Sequence, residues 1–344
     1  MGTRRRRVSV IHFISKLDKW DDPGMANISN STQVEINKAA QALKDGHLVA
    51  FPTETVYGLG ADATNEKAVR RVYSVKARPT DHPLIIHVSS INQLGKWAID
   101  IPEYAIRLAE EFWPGPMTLI LQRGVVAKDF VTGGQENIGV RVPAHPVALG
   151  ILSEFEKYGG FGIAAPSANR FGAVSPTNAH AVKEELGIYL QPSDLILDGG
   201  QSFIGIESTI INCTGDYPTI LRPGAVTTEM IEGIKGFKAP MCISGSTVKA
   251  SGSFQSHYSP RAKVLLDVNP EPGDGFIAMS DLPTPKGAIR LANPGDVEQY
   301  ARDFYMALRE GDRRHLKKIT IVQPIGGGLA TAIRDRCMRA AAGD

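Results

Sequence analysis

Residues 48–58 read Leu-Val-Ala-Phe-Pro-Thr-Glu-Thr-Val-Tyr-Gly and join an apolar run directly to a polar motif. The run Leu48 to Phe51 has the length and composition of a buried strand. Before it, residues 33–43 repeat apolar side chains with helical spacing and stop at Asp45-Gly46. The polar motif therefore begins where a strand ends. Strand ends border the ligand crevice of an α/β sheet, so this stretch predicts that fold class and a site at that edge.

Further polar clusters interrupt apolar or Gly/Pro-bounded segments along the chain. They are Lys76-Ala-Arg78, His87, Arg141, Ser167-Ala-Asn169, Ser175, Ser208-Thr209 and Arg222-Pro-Gly. Most follow a strand-like run, so their basic and hydroxyl groups should converge on one anionic substrate. The pattern predicts an enzyme that handles phosphate, not a passive binding module.

Lys76 and Arg78 are predicted at the exposed end of a helix that Asn65 caps. Pro79 and Pro83 then break the chain before the next strand. Long cationic side chains in that place can reach a neighbouring pocket. Lys76 taken alone fits equally a solvated cation at a helix end, where the macrodipole favours it.

Three other candidate site residues also fit a purely structural role. Arg141 interrupts the apolar run Ile138 to Val142, and a charge in a buried strand needs a carboxylate partner, from the protein or from a ligand. The sequence leaves both open. Ser175-Pro-Thr is predicted to open a helix that runs to about Leu186, so Ser175 fits a cap as well as a ligand. A lone His87 on a strand is more often satisfied structurally.

Length and net charge limit the number of domains and the classes of binding partner. The 344 residues predict about two domains, and the formal net charge of +2 gives no bulk electrostatic argument for nucleic-acid or membrane binding. Three isolated cysteines fit packed thiols in a reducing compartment, and no apolar run reaches membrane-spanning length. We expect a cytoplasmic protein without a membrane partner. Arg4 to Arg7 and the short apolar stretch after them predict a frayed extension or a peripheral strand, not a signal peptide.

Composition changes to Ser, Gly and isolated polar residues from about Ala239 to Pro260, which predicts a linker between two domains. Beyond it, short strands alternate with helices, which predicts a small parallel sheet. We expect an N-terminal extension at 1–30, a catalytic domain at 31–238, a linker at 239–262 and a C-terminal domain at 263–344.

Two glycine-rich segments resemble phosphate motifs. Gly58 to Ala63 matches G-x-G-x-x-A, but no clear acidic residue follows at the end of a second strand, so a dinucleotide site is disfavoured. No P-loop motif occurs, so ATP would be held by dispersed side chains and turn amides. Gly326 to Gly328 before a helix could hold an anion, although a turn or packing role is favoured.

Taken together, these motifs resemble the Sua5/YrdC/YciO family of threonylcarbamoyl-AMP synthases, in its long Sua5 type. The resemblance is carried by Pro52 to Gly60, Lys76-x-Arg78, Ser167-x-Asn169, Ser208-Thr209, Arg222-Pro-Gly, His257-Tyr-Ser-Pro260 and Gly328 to Arg336. It implies an α/β protein with a YrdC-like twisted mixed open sheet and flanking helices, followed by a small Rossmann-like parallel α/β domain. It also implies that Tyr258 closes over the nucleotide as a lid, which would keep water from a hydrolysable adenylate.

The reaction implied by the resemblance joins L-threonine, bicarbonate and ATP into threonylcarbamoyl-adenylate and pyrophosphate, with Mg²⁺ for the departing pyrophosphate. The product would pass to the tRNA threonylcarbamoyl-transfer machinery that modifies adenosine 37, and direct tRNA binding is not required. Attack on the α-phosphorus needs no protein nucleophile. It needs cations around the developing charge and correct placement of two substrates.

The resemblance further implies a role for each matching position. The catalytic cations would be Lys76 and Arg78. The ATP-binding residues would be Lys76, Arg78, His82, Asn137, Ser167, Asn169, Ser175, Arg222 and Tyr258. The L-threonine-binding residues would be Thr55, His87, Arg141, Ala165 and Ser208. His82 and Asn137 depart from the family pattern, which commonly has Asn and Thr there, so their contacts rest on retained hydrogen-bonding capacity.

Two other functions stay open at this stage. One is a module that binds double-stranded RNA on a concave basic surface, which would need phosphate contacts spread over that surface. The other is a transferase that uses carbamoyl phosphate in place of ATP. The cations lie among ligand-type hydroxyls and apolar strands, which favours a small-molecule pocket.

Overall fold

The structure is a computed structural model, and it describes residues 30–234, 236–241 and 258–343. Most of the predicted N-terminal extension, most of the predicted linker and His257 lie outside the described residues. The domain boundaries expected from composition stay predictions.

The first part of the chain, up to residue 241, contains both helices and strands. Its helices are α1 (Asn30–Lys44), α2 (Glu66–Lys76), α3 (Leu94–Trp97), α4 (Glu103–Phe112), α5 (Asp129–Thr132), α6 (Pro146–Lys157), α7 (Ala179–Leu186) and α8 (Thr228–Glu232). Its strands are β1 (Val49–Phe51), β2 (Gly58–Asp62), β3 (Ile85–His87), β4 (Met117–Gln122), β5 (Asn137–Arg141), β6 (Ile163–Ala164), β7 (Leu195–Ile196), β8 (Thr209–Asn212) and β9 (Thr219–Arg222).

All nine of these strands belong to one mixed sheet in the order β7-β1-β2-β6-β3-β5-β4-β8-β9. The pairs β1/β7, β3/β5 and β4/β8 are parallel, and the other neighbours are antiparallel. In β3 and β5 the register places His87 beside Arg141. The predicted mixed sheet is therefore confirmed, β8 and β9 form a hairpin, and two candidate site residues lie at the same end of neighbouring strands.

Helices cover both faces of this sheet. Val49 and Phe51 of β1 pack with Ile36 of α1 and Ile151 of α6. Ala50, between them, belongs to the opposite core with residues of α2 and α4. Because successive strand side chains point to opposite faces, both faces of β1 are buried. This explains why Leu48 to Phe51 is apolar without alternation.

Helix α2 has the start predicted for it. The Asn65 side chain accepts a hydrogen bond from the Ala68 amide at 3.1 Å. At the other end Ala77 adopts φ 48°, a left-handed conformation that ends the helix and turns the chain. Lys76 and Arg78 thus leave the helix end in different directions.

Helix α7 differs from its prediction. It begins at Ala179, and the Asn178 side chain caps it by accepting from the Ala181 amide at 2.8 Å. The expectation that Ser175 opens this helix is wrong. Ser175 instead lies in the segment before the helix, where its hydroxyl donates to Glu207.

The second part of the chain forms a separate sheet. Its elements are β10 (Lys263–Leu266), β11 (Gly275–Ile277), β12 (Ile289–Ala292), α9 (Val297–Arg313), β13 (Lys318–Ile321) and α10 (Leu329–Ala341). The four strands run parallel in the order β10-β13-β11-β12. The prediction of a small parallel α/β unit is confirmed.

The two parts pack closely together. Arg309 and Arg313 of α9 pair with Glu185 and Glu184 of α7, at 3.1 and 2.8 Å. Gly205 approaches α9 so closely that an added Cβ would lie 2.5 Å from the Ala301 carbonyl oxygen. The second unit therefore covers loops that follow the strand ends of the large sheet. Across the described ranges, no helix is long and apolar enough to cross a membrane.

Replacing Asn65 with alanine should lower the free energy of unfolding by about 1 kcal/mol, because the first turn of α2 loses its side-chain acceptor. Urea denaturation measures the loss. Asn65→Ser is the matched control, since serine caps a helix about as well. Equal stability of the alanine and serine variants would contradict the capping role.

Candidate active site

A cleft lies where the ends of β1, β3, β5, β6 and β9 meet. Of the fourteen predicted site residues, nine line it: Thr55, Arg78, His87, Arg141, Ala165, Ser167, Ser208, Arg222 and Tyr258. Both predicted groups, for nucleotide and for amino acid, are thus represented in one cavity. The expectation that dispersed polar clusters converge is confirmed for these positions.

The other five predicted residues lie outside this lining: Lys76, His82, Asn137, Asn169 and Ser175. Asn137 begins β5 opposite Gln122. The Asn169 amide donates to the carbonyl oxygens of Arg170 and Ala173, at 2.7 and 2.8 Å, and so closes the turn after Ser167. The Asn169 side chain therefore supports a wall of the cleft.

Lys76 differs most from its prediction. It is 1 % exposed, so the expected solvated cation is wrong, and its side chain is not part of the cleft lining. Its ammonium donates to the carbonyl oxygens of Ser167, at 2.5 Å, and Asn169. Burial and the neighbouring Arg78 lower the pKa of Lys76 well below its usual value. These carbonyls lie in the loop after β6, and the two hydrogen bonds from Lys76 help to position Ser167 at the cleft.

Arg78 is also buried, at 7 % exposure, yet its side chain reaches the cleft. Its Nη2 donates to the Pro83 carbonyl at 2.9 Å, and its guanidinium lies 5.9 Å from the centre of the Phe171 ring. His82 packs edge-on against the same ring. Burial lowers the pKa of Arg78 to about 10, which leaves it charged at neutral pH. His82 and Phe171 therefore orient a cation.

The partner of Arg141 is a carboxylate of the protein. Its Nη2 lies 2.6 Å from Glu54 Oε1, and both side chains are almost fully buried. Its Nη1 donates to the Thr55 hydroxyl at 3.0 Å, and its Nε donates to the Gly115 carbonyl at 3.2 Å. Of the two partners that the sequence left open, the structure contains Glu54. Arg141 nevertheless lines the cleft, with its orientation set by three neighbours.

His87 is neutral in this setting. Burial and the nearby charge of Arg141 lower the pKa of His87 to about 3. Its Nδ1 is buried and has no hydrogen-bond partner among the described residues. A neutral imidazole can donate or accept a hydrogen bond toward the cleft, but it adds no charge there.

Ser208 and Arg222 form another part of the cleft wall. Arg222 donates from Nε and Nη2 to the Ser208 carbonyl, at 3.1 and 2.9 Å. The Ser208 hydroxyl lies 2.8 Å from the hydroxyl of Thr118. Tyr258 places its hydroxyl 3.5 Å from Arg222 Nη1. The hairpin end and the tyrosine therefore belong to one hydrogen-bonded wall.

Glu207 is the one charged residue of the lining that sequence reasoning missed. Its Oε1 accepts from the Ser175 hydroxyl at 2.6 Å, and its Oε2 accepts from Tyr305 and Arg336, at 2.8 and 2.9 Å. A signal was present, since Glu207 is a lone charge between Ile206 and Ser208 in a segment otherwise free of charge. The same reasoning that singled out Arg141 would have found it.

The cleft is suited to an anion. Arg78, Arg141 and Arg222 all line it, whereas the nearby carboxylates Glu54 and Glu207 are both engaged with protein cations. Low-dielectric walls around these guanidinium groups strengthen their field. The chemistry available is charge stabilisation and substrate orientation, not attack by a side-chain nucleophile.

Comparison with known families agrees with this geometry. The profile of the Sua5/YciO/YrdC family, described as "Telomere recombination", matches residues 41–224. A second profile, "Threonylcarbamoyl-AMP synthase, C-terminal domain", matches residues 226–342. The chain belongs to the Sua5/YciO/YrdC family.

Individual relatives support the assignment over nearly the full chain. A threonylcarbamoyl-AMP synthase of Pyrococcus abyssi is 39 % identical, with 89 % of this chain and 94 % of that protein aligned. One of Bacillus subtilis is 36 % identical over 90 % of this chain and 93 % of its own. The crystal structure of P. abyssi Sua5 complexed with L-threonine superposes with a TM-score of 0.81, at 38 % identity over 90 % of this chain and 94 % of that chain. Both sheets of this family member therefore have a counterpart in a solved structure.

Arg141→Met should lower the free energy of unfolding by about 3–5 kcal/mol, because it leaves Glu54 buried without its cation. Arg141→Met combined with Glu54→Gln should recover part of this loss. Denaturant melts of the three proteins measure the effect. Arg70→Met is the control, because the exposed Arg70–Glu66 pair should contribute less than about 1 kcal/mol. A double variant no more stable than the single one would contradict the pairing argument.

Proposed function

We propose that this family member is an L-threonylcarbamoyladenylate synthase, which forms threonylcarbamoyl-AMP and pyrophosphate from L-threonine, bicarbonate and ATP. The convergence of Arg78, Arg141 and Arg222 on one cleft carries the proposal. Relatives that align over nearly their whole length bear the name threonylcarbamoyl-AMP synthase, and one of them was crystallised with L-threonine.

The mechanism follows from the lining. A threonylcarbamate oxygen attacks the α-phosphorus of ATP, and pyrophosphate leaves. Arg78 and Arg222 stabilise the negative charge that spreads over the phosphoryl oxygens, because preorganised cations in a poorly hydrated site need little rearrangement. Ser167 and Tyr258 place the nucleotide. Five further residues act indirectly, by holding the segments that carry these groups: Lys76, Asn169, Ser175, His82 and Asn137.

On the amino-acid side, Arg141 pairs with the threonine carboxylate while Glu54 and Thr55 fix its guanidinium. Ser208, His87 and the backbone at Ala165 complete this part of the cleft. Both reactants are then held together, which converts a bimolecular reaction into a unimolecular one.

Mg²⁺ would neutralise charge on the departing pyrophosphate. The described residues contain no group of three His, Cys, Asp or Glu side chains that could hold a metal ion. In the lining, Glu207 already accepts hydrogen bonds on both oxygens. The described side chains of the cleft thus fit a Mg²⁺ ion whose ligands would be mainly phosphate oxygens. We further propose a cytoplasmic location and transfer of the product to the tRNA threonylcarbamoyl-transfer machinery.

The two alternative functions have less support. A double-stranded RNA module would need cations spread over a surface, whereas the three arginines are buried in one cleft. A transferase that uses carbamoyl phosphate would leave no purpose for a nucleotide wall of Arg222 and Tyr258.

The deciding experiment is pyrophosphate release from ATP with Mg²⁺ and bicarbonate, compared for L-threonine, L-serine and no amino acid. Release that depends on both threonine and bicarbonate is the expected result, because all three reactants contribute atoms to the product. ATP binding without threonine-dependent turnover would sink the proposal. Turnover with carbamoyl phosphate in place of ATP and bicarbonate would establish the transferase instead.

Arg78→Lys should raise the KM for ATP about tenfold or more, because a lysine cannot make the two parallel contacts of a guanidinium. The KM for threonine should change less. Steady-state kinetics with each substrate varied measure the difference. Arg70→Lys, on helix α2 just before Arg78, is the matched control, since Arg70 lies outside the cleft lining. Equal increases in both KM values for Arg78→Lys would refute its assignment to the nucleotide.

A further inference from the structure

The second unit contributes two side chains to Glu207. The Tyr305 hydroxyl of α9 and Nε of Arg336 of α10 both donate to Glu207 Oε2, at 2.8 and 2.9 Å. The Ser175 hydroxyl donates to Glu207 Oε1 at 2.6 Å. All of these side chains are buried. The Glu207 carboxylate thus receives three hydrogen bonds, two of them from the second unit.

Arg336 also contacts two other groups at the cleft. Its Nη1 donates to the carbonyl oxygen of Pro223, the residue after Arg222, at 2.9 Å. Its guanidinium carbon lies 5.6 Å from the centre of the Tyr258 ring. One fully buried side chain of the C-terminal unit therefore touches a wall carboxylate, the hairpin end and the proposed lid.

Tyr258 is held in a strained conformation at this contact. Its φ is 63°, in the left-handed region that residues other than glycine rarely adopt. Its ring is 1 % exposed, and its centre lies 5.6 Å from that of Tyr305. Such strain persists only where surrounding contacts over-determine the conformation. Tyr305 and Arg336 supply contacts of that kind.

We propose that Tyr305 and Arg336 are positioning residues of the active site, through which the C-terminal unit holds Glu207 and Tyr258 in the geometry needed for adenylate formation. This inference rests on the proposed function. It assigns the C-terminal unit a part in the chemistry of the first one, without contact to substrate.

Glu207 itself is a fixed anion, not a proton acceptor. Burial alone would raise its pKa, but the charges of Arg336 and Arg222 and the Ser175 hydrogen bond hold the pKa of Glu207 at about 2. The other groups that act on this cluster are Tyr305, Tyr258 and Asp335, the last paired with Arg336 at 2.6 Å. Without the positive charge of Arg336, the effect of burial would be less compensated, so the pKa of Glu207 would rise.

Two buried tyrosines of α9 provide a matched test. The Tyr305 hydroxyl crosses to Glu207, whereas the Tyr300 hydroxyl donates to the Val322 carbonyl at 3.0 Å, within the C-terminal unit. Each Tyr→Phe change removes one oxygen. In the full-length protein, Tyr305→Phe should lower kcat/KM for ATP about tenfold, in line with the cost of small misplacements in active sites. Tyr300→Phe should stay within about twofold while lowering the melting temperature to a similar extent.

Arginine variants provide a second readout. Arg336→Met should lower kcat/KM about a hundredfold, and Arg336→Lys should restore part of it by keeping the charge. The acidic limb of the pH profile should move to higher pH in Arg336→Met, because the pKa of Glu207 rises. Arg313→Met breaks the partly exposed pairs with Glu184, between the two units, and with Glu310, within α9, and should leave rate and profile unchanged.

The outcomes separate the two proposals. A wild-type protein without threonine-dependent pyrophosphate release would overturn the proposed function, and this inference with it. An active wild type in which Tyr305→Phe matches Tyr300→Phe would overturn the positioning role alone. So would an Arg336→Met protein that folds and keeps the wild-type pH profile and rate. Where Arg336→Met does not fold, the tyrosine pair decides.

Discussion

Buried arginines can line a cleft only if the protein also buries something to balance them. An uncompensated charge in the interior costs several kcal/mol, and this constraint shapes the whole site. In the cleft, Arg141 has Glu54 at 2.6 Å and Arg222 lies in the field of Glu207; outside the lining, Arg336 pairs with Glu207 and Asp335. Each carboxylate is held within the protein, so the cleft keeps a positive character without exposing its cations to bulk water. The ends of β5 and β9 thus place Arg141 and Arg222 at one edge of the large sheet.

The same constraint explains why the two units pack as they do. Glu207 is buried at the end of the segment before β8, and its second oxygen would lack donors without α9 and α10. Glu207, in the segment before β8, and Arg336, on α10, therefore balance each other's buried charge. Around them, Val56, Ile206 and Tyr258 share a hydrophobic core with Phe304 and Leu308. Apolar packing holds the two units together, and the polar cluster around Glu207 fixes their relative position.

Local features of the chain were predictable because they depend on neighbours in sequence. The Asn65 cap, the β8–β9 hairpin and the parallel C-terminal sheet all follow from turn chemistry and periodicity. Ser175 shows where this reasoning fails. The pattern Ser-Pro-Thr is typical of a helix start, but Asn178 caps the helix, while Ser175 meets a carboxylate 32 residues away. Lys76 fails for the same reason, since its carbonyl partners lie about 90 residues further along the chain.

The sequence by itself determined the elements, the fold class and most of the residues that meet at the cleft, because strand ends and their polar motifs are encoded locally and in fixed order. Only the tertiary structure decided the partner of each charge. Arg141 could pair with protein or ligand until Glu54 was placed beside it. Glu207 was not identified from the sequence; the structure shows it accepting hydrogen bonds from side chains on α9 and α10. Pairing depends on distances in space between residues far apart in the chain, and no local pattern contains those distances.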